Sequence, residues 1–348
     1  MKKNQVQIRF WGVRGSVPTP LTSQDVKTKF VKSLTQVAER FPNASVKEFL
    51  AMQNQLEHPF TYGGNTSCVE VRYGNHIFAL DMGTGLRPFG NSLFAEMFQK
   101  KGINVHFFIS HVHWDHIQGL PFFGPLYVNK ETGINNEFHF FGGTDWQKNA
   151  ETCLRGQMDP PNFPVSFREL MKTTRMSFED LYDMMNFSIL GETPEETVRV
   201  TFRKLNHPQE TYGVRMEFPN GQVIAYTTDN EPYDPKYSDP KLVSLAKGAD
   251  VWITDCQYTR EVYTGERGGL CRHGWGHSYP EAVVETGIQA GAKKVILFHH
   301  DPGSSDEDIL NMQRHTQALA NAYDKYSRTP PRRNFGVQAA YEGLEITL

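Results

Sequence analysis

The chain has 348 residues, 39% of them hydrophobic and 22% charged, a composition typical of a globular protein with a sizeable core. Its formal net charge of −3 argues against a broad positive surface that would attract nucleic acids. Four widely spaced cysteines indicate reduced thiols, and no apolar run approaches the roughly 18 residues of a membrane span. We therefore expect a cytoplasmic protein without a membrane partner.

The first half of the chain predicts short strands separated by turns. Residues 6–12 are rich in apolar side chains. Residues 67–73 and 76–81 are separated by a Gly-Asn pair, which is a signal for a two-residue hairpin. A further apolar run, residues 103–110, predicts a strand that ends at a group of histidines.

The second half repeats this pattern. Residues 212–218 and 222–229 predict a second hairpin around a Pro-Asn-Gly turn. Residues 249–255 and 293–299 are continuous apolar runs of the kind found in strands that are buried on both faces.

Helices are predicted mainly in the C-terminal third. The first is expected to begin at a capping box formed by Ser278 and Glu281 and to end at Gly291. The second is expected over residues 304–326, with its own cap and acidic residues in its first turn.

Two stretches fit this layout less well. Residues 19–60 and residues 143–196 look partly helical, and we predict both to be insertions in one domain because strands resume on either side. The near-neutral composition of the first stretch leads us to expect that it mediates self-association, giving a homo-oligomer, or covers the pocket.

The segment "SHVHWDHIQGL" suggests one half of a metal site. His111 and His113 alternate at a strand end, so both imidazoles can point to one side. Asp115 and His116 follow at once, where a loop or helix begins. Imidazole nitrogens and carboxylate oxygens suit zinc and its neighbours in the first transition row. The pattern therefore favours a metal site over a chance cluster.

The remaining ligands of such a site must come from elsewhere in the chain. His207, Asp229 and His299 each follow a predicted strand, so they are expected at the same rim of a sheet. Each has an ordinary alternative when taken alone, since Asp229 can cap a helix or turn and His207 can be a loop residue. Together they point to a metallohydrolase.

The motif "HVHWDH" is similar to the HxHxDH signature of the metallo-β-lactamase superfamily, and the later His, Asp and His occur in the family's order. The resemblance is to the phosphodiesterase branch related to ribonuclease Z and to bacterial phosphonate-pathway cyclic phosphodiesterases. It is carried by "FWGVRGSVPTP", "YGGNTSCVEVRYGNHIFALDMGTGL" and "GHSYPEAVVETGIQAGAKKVILFHHDP". It implies an α/β fold, an αββα sandwich of two mixed β-sheets flanked by helices.

The resemblance also implies two divalent metal ions per chain, zinc first, with manganese and iron as alternatives. It assigns the ligands as His111, His113 and His207 on one ion, Asp115, His116 and His299 on the other, and Asp229 as the bridge. His300 is an alternative to His299, but the interval of 22 residues from His277 favours His299. Asp81 is given a structural role in steadying the ligand loop.

The chemistry that follows is metal-assisted hydrolysis of a phosphodiester by a bridging hydroxide. Asp115 is expected to orient the nucleophile or to accept its proton. His277, in the "GHS" segment, is the candidate acid that protonates or stabilises the leaving oxygen. The alternative for His277 is a buried or capping histidine placed just before a helix.

The substrate is expected to be small, such as a cyclic nucleotide. Residues 143–196 hold five Lys and Arg against ten Asp and Glu, a net charge of −5 that would repel RNA, so nucleic acid is a less favoured partner. The first alternative is a ribonuclease Z-like nuclease acting on RNA or DNA. A thioesterase or lactonase-type hydrolase can share the ligand set, and a ligand-binding sensor with this fold is the non-enzymatic alternative.

Overall fold

Two mixed sheets of seven strands each are stacked face to face, with helices on their outer faces. The structure is a computed structural model, and it describes residues 5–40, 45, 47–48, 61–128, 130–233, 238–266, 269–326 and 335–348. The arrangement is the αββα sandwich that the sequence predicts.

The first sheet is built mainly from the N-terminal half of the chain. In spatial order its strands are β16 (Glu345–Thr347), β1 (Gln7–Gly12), β2 (Cys68–Tyr73), β3 (His76–Leu80), β4 (Asn104–Ile109), β5 (Glu137–Gly142) and β8 (Arg175–Asp180). Pairing is antiparallel from β16 to β3 and parallel from β3 to β8. Residues of β1 alternate between buried and half-buried positions, because only one face of this strand meets the other sheet.

The second sheet reverses that pattern. In spatial order its strands are β15 (Gly336–Ala339), β14 (Lys294–Phe298), β13 (Val251–Asp255), β12 (Val223–Thr227), β11 (Tyr212–Glu217), β10 (Val198–Lys204) and β9 (Asn186–Ile189). Pairing is parallel from β15 to β12 and antiparallel from β12 to β9. Every residue of β13 is buried, which explains its continuous apolar sequence.

A small hairpin, nine α-helices and four short 3₁₀ helices are the remaining elements in the described part of the chain. The hairpin strands are β6 (Thr144–Asp145) and β7 (Lys148–Asn149). The helices are α1 (Ser23–Arg40), α2 (Leu86–Lys100), α3 (Trp114–Ile117), α4 (Ala150–Gln157), α5 (Phe167–Thr173), α6 (Pro240–Ala246), α7 (Arg260–Thr264), α8 (Pro280–Ala290) and α9 (Asp306–Tyr326). Among the residues described, none of these helices has the length and apolar character needed to cross a bilayer.

Apolar side chains pack in three layers. Between the sheets, Phe10 meets Phe298 with ring centroids 6.1 Å apart, and Phe108 meets Phe202 at 5.3 Å. One outer layer joins α2 to the first sheet, and the other joins α6 and α8 to the second sheet around Trp252. Burial of these aromatic and aliphatic side chains is the main force that holds the layers together.

The two predicted C-terminal helices are confirmed, but one of the predicted caps is wrong. The first residue before α8 is Tyr279, which makes no capping hydrogen bond, and Ser278 instead directs its backbone NH toward Asp255 at 3.5 Å. Pro280 at the first helical position lowers the need for a cap because it has no NH to satisfy. At α9, Ser305 and Asp308 exchange hydrogen bonds as a helix cap does.

The two predicted insertions differ in their relation to the sheets. Residues 143–196 contribute β8 to the edge of the first sheet and β9 to the edge of the second, so this segment is integrated into both sheets and is not an appended arm. Edge strands with half-exposed, polar sequences give a weak strand signal, which is why the sequence pattern did not reveal them.

Within residues 19–60, the described part is mainly α1, while residues 41–44, 46 and 49–60 lie outside the described residues. Helix α1 contacts the start of α9 through ion pairs from Lys29 to Asp306 and from Lys32 to Glu307. Its role in self-association or in covering the pocket stays a prediction.

Candidate metal centre

The predicted ligand residues lie at one rim of the sandwich, where strands of both sheets end. Strand β4 leads into His111 and His113, β10 into His207, β12 into Asp229, and β14 into His299. Strands that run in the same direction end at the same edge of a sheet, so this topology brings the two halves of the site together.

Four of these side chains form the first candidate ligand group: His111, His113, His207 and Asp229, whose ligand atoms all lie within 4.8 Å of one another. Oδ2 of Asp229 is 3.5 Å from Nε2 of His111 and 3.7 Å from Nε2 of His207. Within the described residues, Nε2 of His111 and both ring nitrogens of His207 are buried without a hydrogen-bond partner. Buried polar atoms rarely stay unpaired, so these nitrogens fit a metal ion.

The second candidate ligand group consists of Asp115, His116 and His299. Oδ2 of Asp115 lies 3.2 Å from Nε2 of His116 and 3.1 Å from Nε2 of His299. The two imidazole Nε2 atoms are 3.2 Å apart. Two imidazoles and a carboxylate oxygen directed at one point again match the ligands of a first-row divalent cation.

Asp229 contacts both groups with different oxygens. While Oδ2 faces the first group, Oδ1 lies 3.4 Å from Nε2 of His116 and 3.3 Å from Nε2 of His299. Its side chain is almost completely buried. A carboxylate in this position can link two cations, as the resemblance implies for Asp229.

The backbone is strained at three strand ends of the site. Asp81, Asp229 and His299 have φ values of 61°, 51° and 59°, in the left-handed region that non-glycine residues rarely adopt. Strained conformations of this kind persist where the surrounding structure enforces them, and they cluster at functional sites. The strain therefore supports a functional reading of this rim.

Asp81 holds the ligand loop from beneath, in agreement with the structural role that the resemblance implies. Its carboxylate accepts hydrogen bonds from the NH and Oγ of Ser110 and from the hydroxyl of Tyr226, at 2.7 Å, 2.8 Å and 2.7 Å. It also contacts Nδ1 of His116 at 2.8 Å, which leaves Nε2 of that ring for the cluster. A carboxylate behind a histidine ligand commonly fixes its orientation in this way.

His299, and not His300, faces the cluster. Nδ1 of His299 contacts Oε1 of Gln257 at 3.1 Å, so its Nε2 is directed at the other ligand candidates. His300 turns away, with Nε2 at 2.9 Å from the carbonyl oxygen of Ala340. Gly15 packs on the His299 ring so closely that a Cβ there would lie 2.5 Å from ring atoms, which explains the glycine.

The electrostatics of the cluster favour a bound cation. Burial lowers the pKa of His111 well below its usual range, so the ring is neutral and can offer a nitrogen lone pair. Burial opposes ionisation of Asp229, but the imidazoles of His299 and His116 outweigh it and hold the pKa of this carboxyl well below its usual range. Buried carboxylates that stay ionised require positive charge nearby, which a divalent ion supplies.

His277 lies beside the cluster and is held by Asp255. Nδ1 of His277 is 2.7 Å from Oδ2 of Asp255, and its ring stacks on His299 with centroids 5.0 Å apart. Burial lowers the pKa of His277, but the Asp255 carboxylate and its hydrogen bond outweigh that effect and raise the pKa to about 9. His277 also lies within ligand distance of Asp229 and His299. Because Asp255 engages Nδ1, the Nε2 atom is the nitrogen left to act on a bound molecule, and the Asp–His pair is an arrangement that suits a proton donor.

Glu231 is a residue that the sequence analysis missed. Its buried carboxylate accepts hydrogen bonds from the backbone NH groups of Gly274 and Gly276, both at 2.8 Å, and from the hydroxyl of Tyr263 at 2.6 Å. These bonds fix the loop that carries His277. No sequence pattern pointed to this glutamate, because the loop that it holds lies more than 40 positions away in sequence.

The fold and this donor set define a protein of the metallo-β-lactamase-fold class of metal-dependent hydrolases. The model of the beta-lactamase superfamily domain matches residues 104–300, more than half of the chain, and the chain belongs to this superfamily.

Relatives and solved structures agree with that assignment. An uncharacterized protein of Mycobacterium tuberculosis is 25% identical over 223 residues, which cover 60% of this chain and 66% of that relative, just under two thirds. Ribonuclease Z of Lactiplantibacillus plantarum is 22% identical over 278 residues, covering 70% of this chain and 84% of the enzyme. The metallo-beta-lactamase fold protein YhfI of Bacillus subtilis superposes with a TM-score of 0.57 at 14% identity, covering 99% of this chain and 100% of YhfI. The resemblance to the ribonuclease Z-like branch of the family is thus confirmed.

Proposed function

We propose that this protein hydrolyses the phosphodiester bond of a small substrate such as a cyclic nucleotide. The observation that carries the proposal is the position of the Asp255–His277 pair beside two candidate ligand groups that share Asp229. Metal binding alone does not call for an Asp–His pair next to the ligands, whereas an alkoxide leaves phosphorus faster when a positioned acid donates a proton to it.

The proposal places two divalent ions in the site, zinc in the first instance and manganese or iron as alternatives. The ligands would be His111, His113 and His207 for one ion, Asp115, His116 and His299 for the other, and Asp229 for both. When bound, such ions supply an acidified water molecule and positive charge that neutralises the phosphate oxygens.

The chain's own groups then divide the proton transfers between them. Because Asp255 engages Nδ1 of His277, Nε2 is the nitrogen left to give its proton to the leaving oxygen as the P–O bond breaks. Asp115 orients the attacking water and accepts its proton, and the backbone NH of Ser16 at 2.7 Å from Oδ2 holds this carboxylate in place. The proton balance closes, since one proton is taken from water and one is given to the leaving group.

Substrate size follows from charge. Residues 143–196 form an edge strand of each sheet and carry a net charge of −5, which disfavours a long polyanion. The second candidate function is an RNA nuclease, favoured by the likeness to proteins named ribonuclease Z over 70% of the chain.

Homo-oligomerisation through α1 is part of the same proposal.

The test combines metal analysis with a substrate panel. Protein purified without added metal should contain close to two divalent ions per chain by elemental analysis. The panel holds cyclic mononucleotides, cyclic dinucleotides, bis(p-nitrophenyl) phosphate, a thioester, a lactone and structured RNA. We expect the highest kcat/KM on a cyclic nucleotide.

Other outcomes are equally informative. A preference for structured RNA would establish the nuclease, and a preference for the thioester or lactone would replace the phosphodiesterase proposal. Binding of a panel member without turnover by the metal-loaded protein would indicate a sensor.

A further inference from the structure

Exposed tryptophan is concentrated around the candidate metal centre. The chain has five tryptophans, and three of them are strongly exposed: Trp146 at 86%, Trp114 at 80% and Trp275 at 46%. The other two are Trp252, which is fully buried, and Trp11, which is half-buried and donates to Glu70. Exposed large apolar side chains that group together mark a binding surface, whereas single ones need no explanation.

Each exposed tryptophan is in a segment joined to the site: Trp114 begins α3, Trp275 is on a loop and Trp146 is in a hairpin turn. Trp114 directly follows His113, and Trp275 lies two residues before His277. Both positions are fixed, because the first is in the ligand motif and the second is in the loop that Glu231 holds. We call these two residues and Trp146 the tryptophan rim.

Trp146 reaches the site through a hairpin. It lies in the turn between β6 and β7, and the adjacent Asp145 accepts a hydrogen bond from the backbone NH of Glu210 at 3.3 Å. The side chain of the neighbouring Gln209 lies next to His113 and acts to raise the pKa of that ring, against the larger effect of burial. The hairpin is therefore docked on the loop that begins at His207.

The conformation of this hairpin is unfavourable for a purely structural turn. Trp146 and Gln147 have φ values of 48° and 63°, in the left-handed region where two-residue turns strongly prefer Asn and Gly. A bulky indole in this conformation is strained, and because the side chain stays exposed, no burial of apolar surface compensates for the strain. A role in binding gives a reason for the indole that the fold does not give.

Trp275 carries a second feature of a binding surface. The guanidinium carbon of Arg272 lies 4.3 Å from the centre of the Trp275 ring, in a cation–π contact. The guanidinium covers one face of the indole, so the stacked pair offers a planar outer face together with a positive charge. This combination suits a ligand that has both a planar aromatic group and a phosphate.

We propose that the tryptophan rim binds the nucleobase of the substrate by stacking. This inference rests on the proposed phosphodiesterase function and narrows its substrate class to nucleotides. Stacking accepts every base because each has a flat face, so the rim selects for a base without selecting which base. The same chemistry serves a mononucleotide and single-stranded RNA, and the experiment below distinguishes them.

The test measures ligand binding by titration calorimetry on the zinc-loaded full chain, independently of turnover. The probes are adenosine 5′-monophosphate, a single-stranded oligoadenylate and inorganic phosphate. Trp146→Asn keeps a side chain that tolerates the turn, and Trp275→Leu keeps apolar volume. Each should raise the Kd for the nucleotide at least about fivefold, equivalent to about 1 kcal/mol, and leave the Kd for phosphate unchanged.

Two further variants control the interpretation. Trp146→Phe keeps an aromatic face and should retain most of the affinity for the nucleotide. Phe98→Ala removes an exposed aromatic side chain from α2, near the end of the helix away from the site, and should change no Kd. A larger effect of the rim variants on the oligonucleotide than on the mononucleotide would identify RNA as the source of the base.

The outcomes separate this proposal from the proposed function. If no phosphodiester is hydrolysed but nucleotide affinity still depends on Trp146 and Trp275, the nucleobase site stands and the catalytic proposal fails. If both rim variants bind the nucleotides like the parent protein, the nucleobase site is overturned, whatever the protein hydrolyses.

Discussion

The described part of the chain contains two clusters of histidines that are largely buried, and only one of them has the properties of a metal centre. In the candidate centre, the centroid of the His111 ring lies 4.2 Å from the ring centroid of His116 and 4.8 Å from that of His207. In the second cluster, the His106 ring lies 4.9 Å from His139 and 5.8 Å from His76. Ring spacing is therefore similar in the two regions, and His106 and His76 are buried like the rings of the candidate centre.

The surroundings differ. His106 packs against Phe78 and Phe141, and its outer partners bond elsewhere, His76 to the carbonyl oxygen of Glu196 and His139 to Oγ of Ser177. In the described part of the chain these three rings do not form a candidate ligand group. Buried histidines thus do not define a metal centre by themselves. A metal centre is defined instead by a shared carboxylate and by several unpaired ring nitrogens that are directed at one point.

The largest expected effect comes from the shared carboxylate. Asp229→Asn preserves shape but removes the charge that both ligand groups face. We expect metal content to fall from about two ions per chain to one or fewer, and kcat/KM to fall roughly 10⁴-fold or more on every substrate. Elemental analysis and steady-state kinetics measure these changes.

The matched variant is in the other cluster. His106→Asn removes a buried imidazole of similar environment and should leave metal content at the parental value. If Asp229→Asn kept two ions and full activity, or if His106→Asn lost metal, the distinction between the two clusters would be wrong.

The next largest effect concerns His277, whose Nδ1 lies 2.7 Å from the carboxylate of Asp255. His277→Ala should keep both metal ions yet lower kcat by roughly 10²–10⁴-fold on substrates with an alkoxide leaving group such as a ribose hydroxyl. The loss should shrink for a p-nitrophenyl ester, because p-nitrophenolate departs without protonation. Kinetics on both ester types, with metal content measured in parallel, test this expectation.

Asp255→Asn is the companion variant for that experiment. It keeps a hydrogen bond to Nδ1 but removes the charge that raises the pKa of His277, so the loss should be in the same direction and smaller. Equal rates of the parent and His277→Ala on both ester types would return His277 to a structural role.

Much of the fold and of the candidate metal centre could be predicted from the sequence. The apolar runs before His111, Asp229 and His299 predicted strands, and strands ending in ligand-type residues predicted one common rim. The fold followed from the same pattern together with the family resemblance. Local periodicity carries this information because a strand buried on both faces must be apolar throughout.

What the sequence could not predict depends on contacts between distant segments. Glu231 is hydrogen-bonded to a loop more than 40 positions away in sequence, and nothing in the local pattern points to that loop. The edge strands β8 and β9 have polar, half-exposed residues, so their pattern resembles that of a surface arm. Propensity and periodicity do not record any of these tertiary contacts.

The smallest expected effect is on stability, and it uses the second cluster alone. Burial, with added repulsion from His139 and His76, lowers the pKa of His106 to about 3. The folded state therefore keeps this ring neutral, while the unfolded chain takes up a proton below its usual pKa of about 6.5. The stability linked to His106 is present above that pH and is lost as the pH falls toward 3, by about 1.4 kcal/mol per pH unit.

His106→Phe, with Phe78 and Phe141 as neighbours, should lessen the loss of unfolding free energy between about pH 7.5 and pH 5.5 by about 1.4 kcal/mol, measured by urea titration. His315→Gln, at an exposed position on α9, is the control and should leave the parental difference unchanged. A parental pH dependence in His106→Phe would show that the ring already takes up its proton in the folded state, and the contrast between the two clusters would then lie in their metal ligands alone.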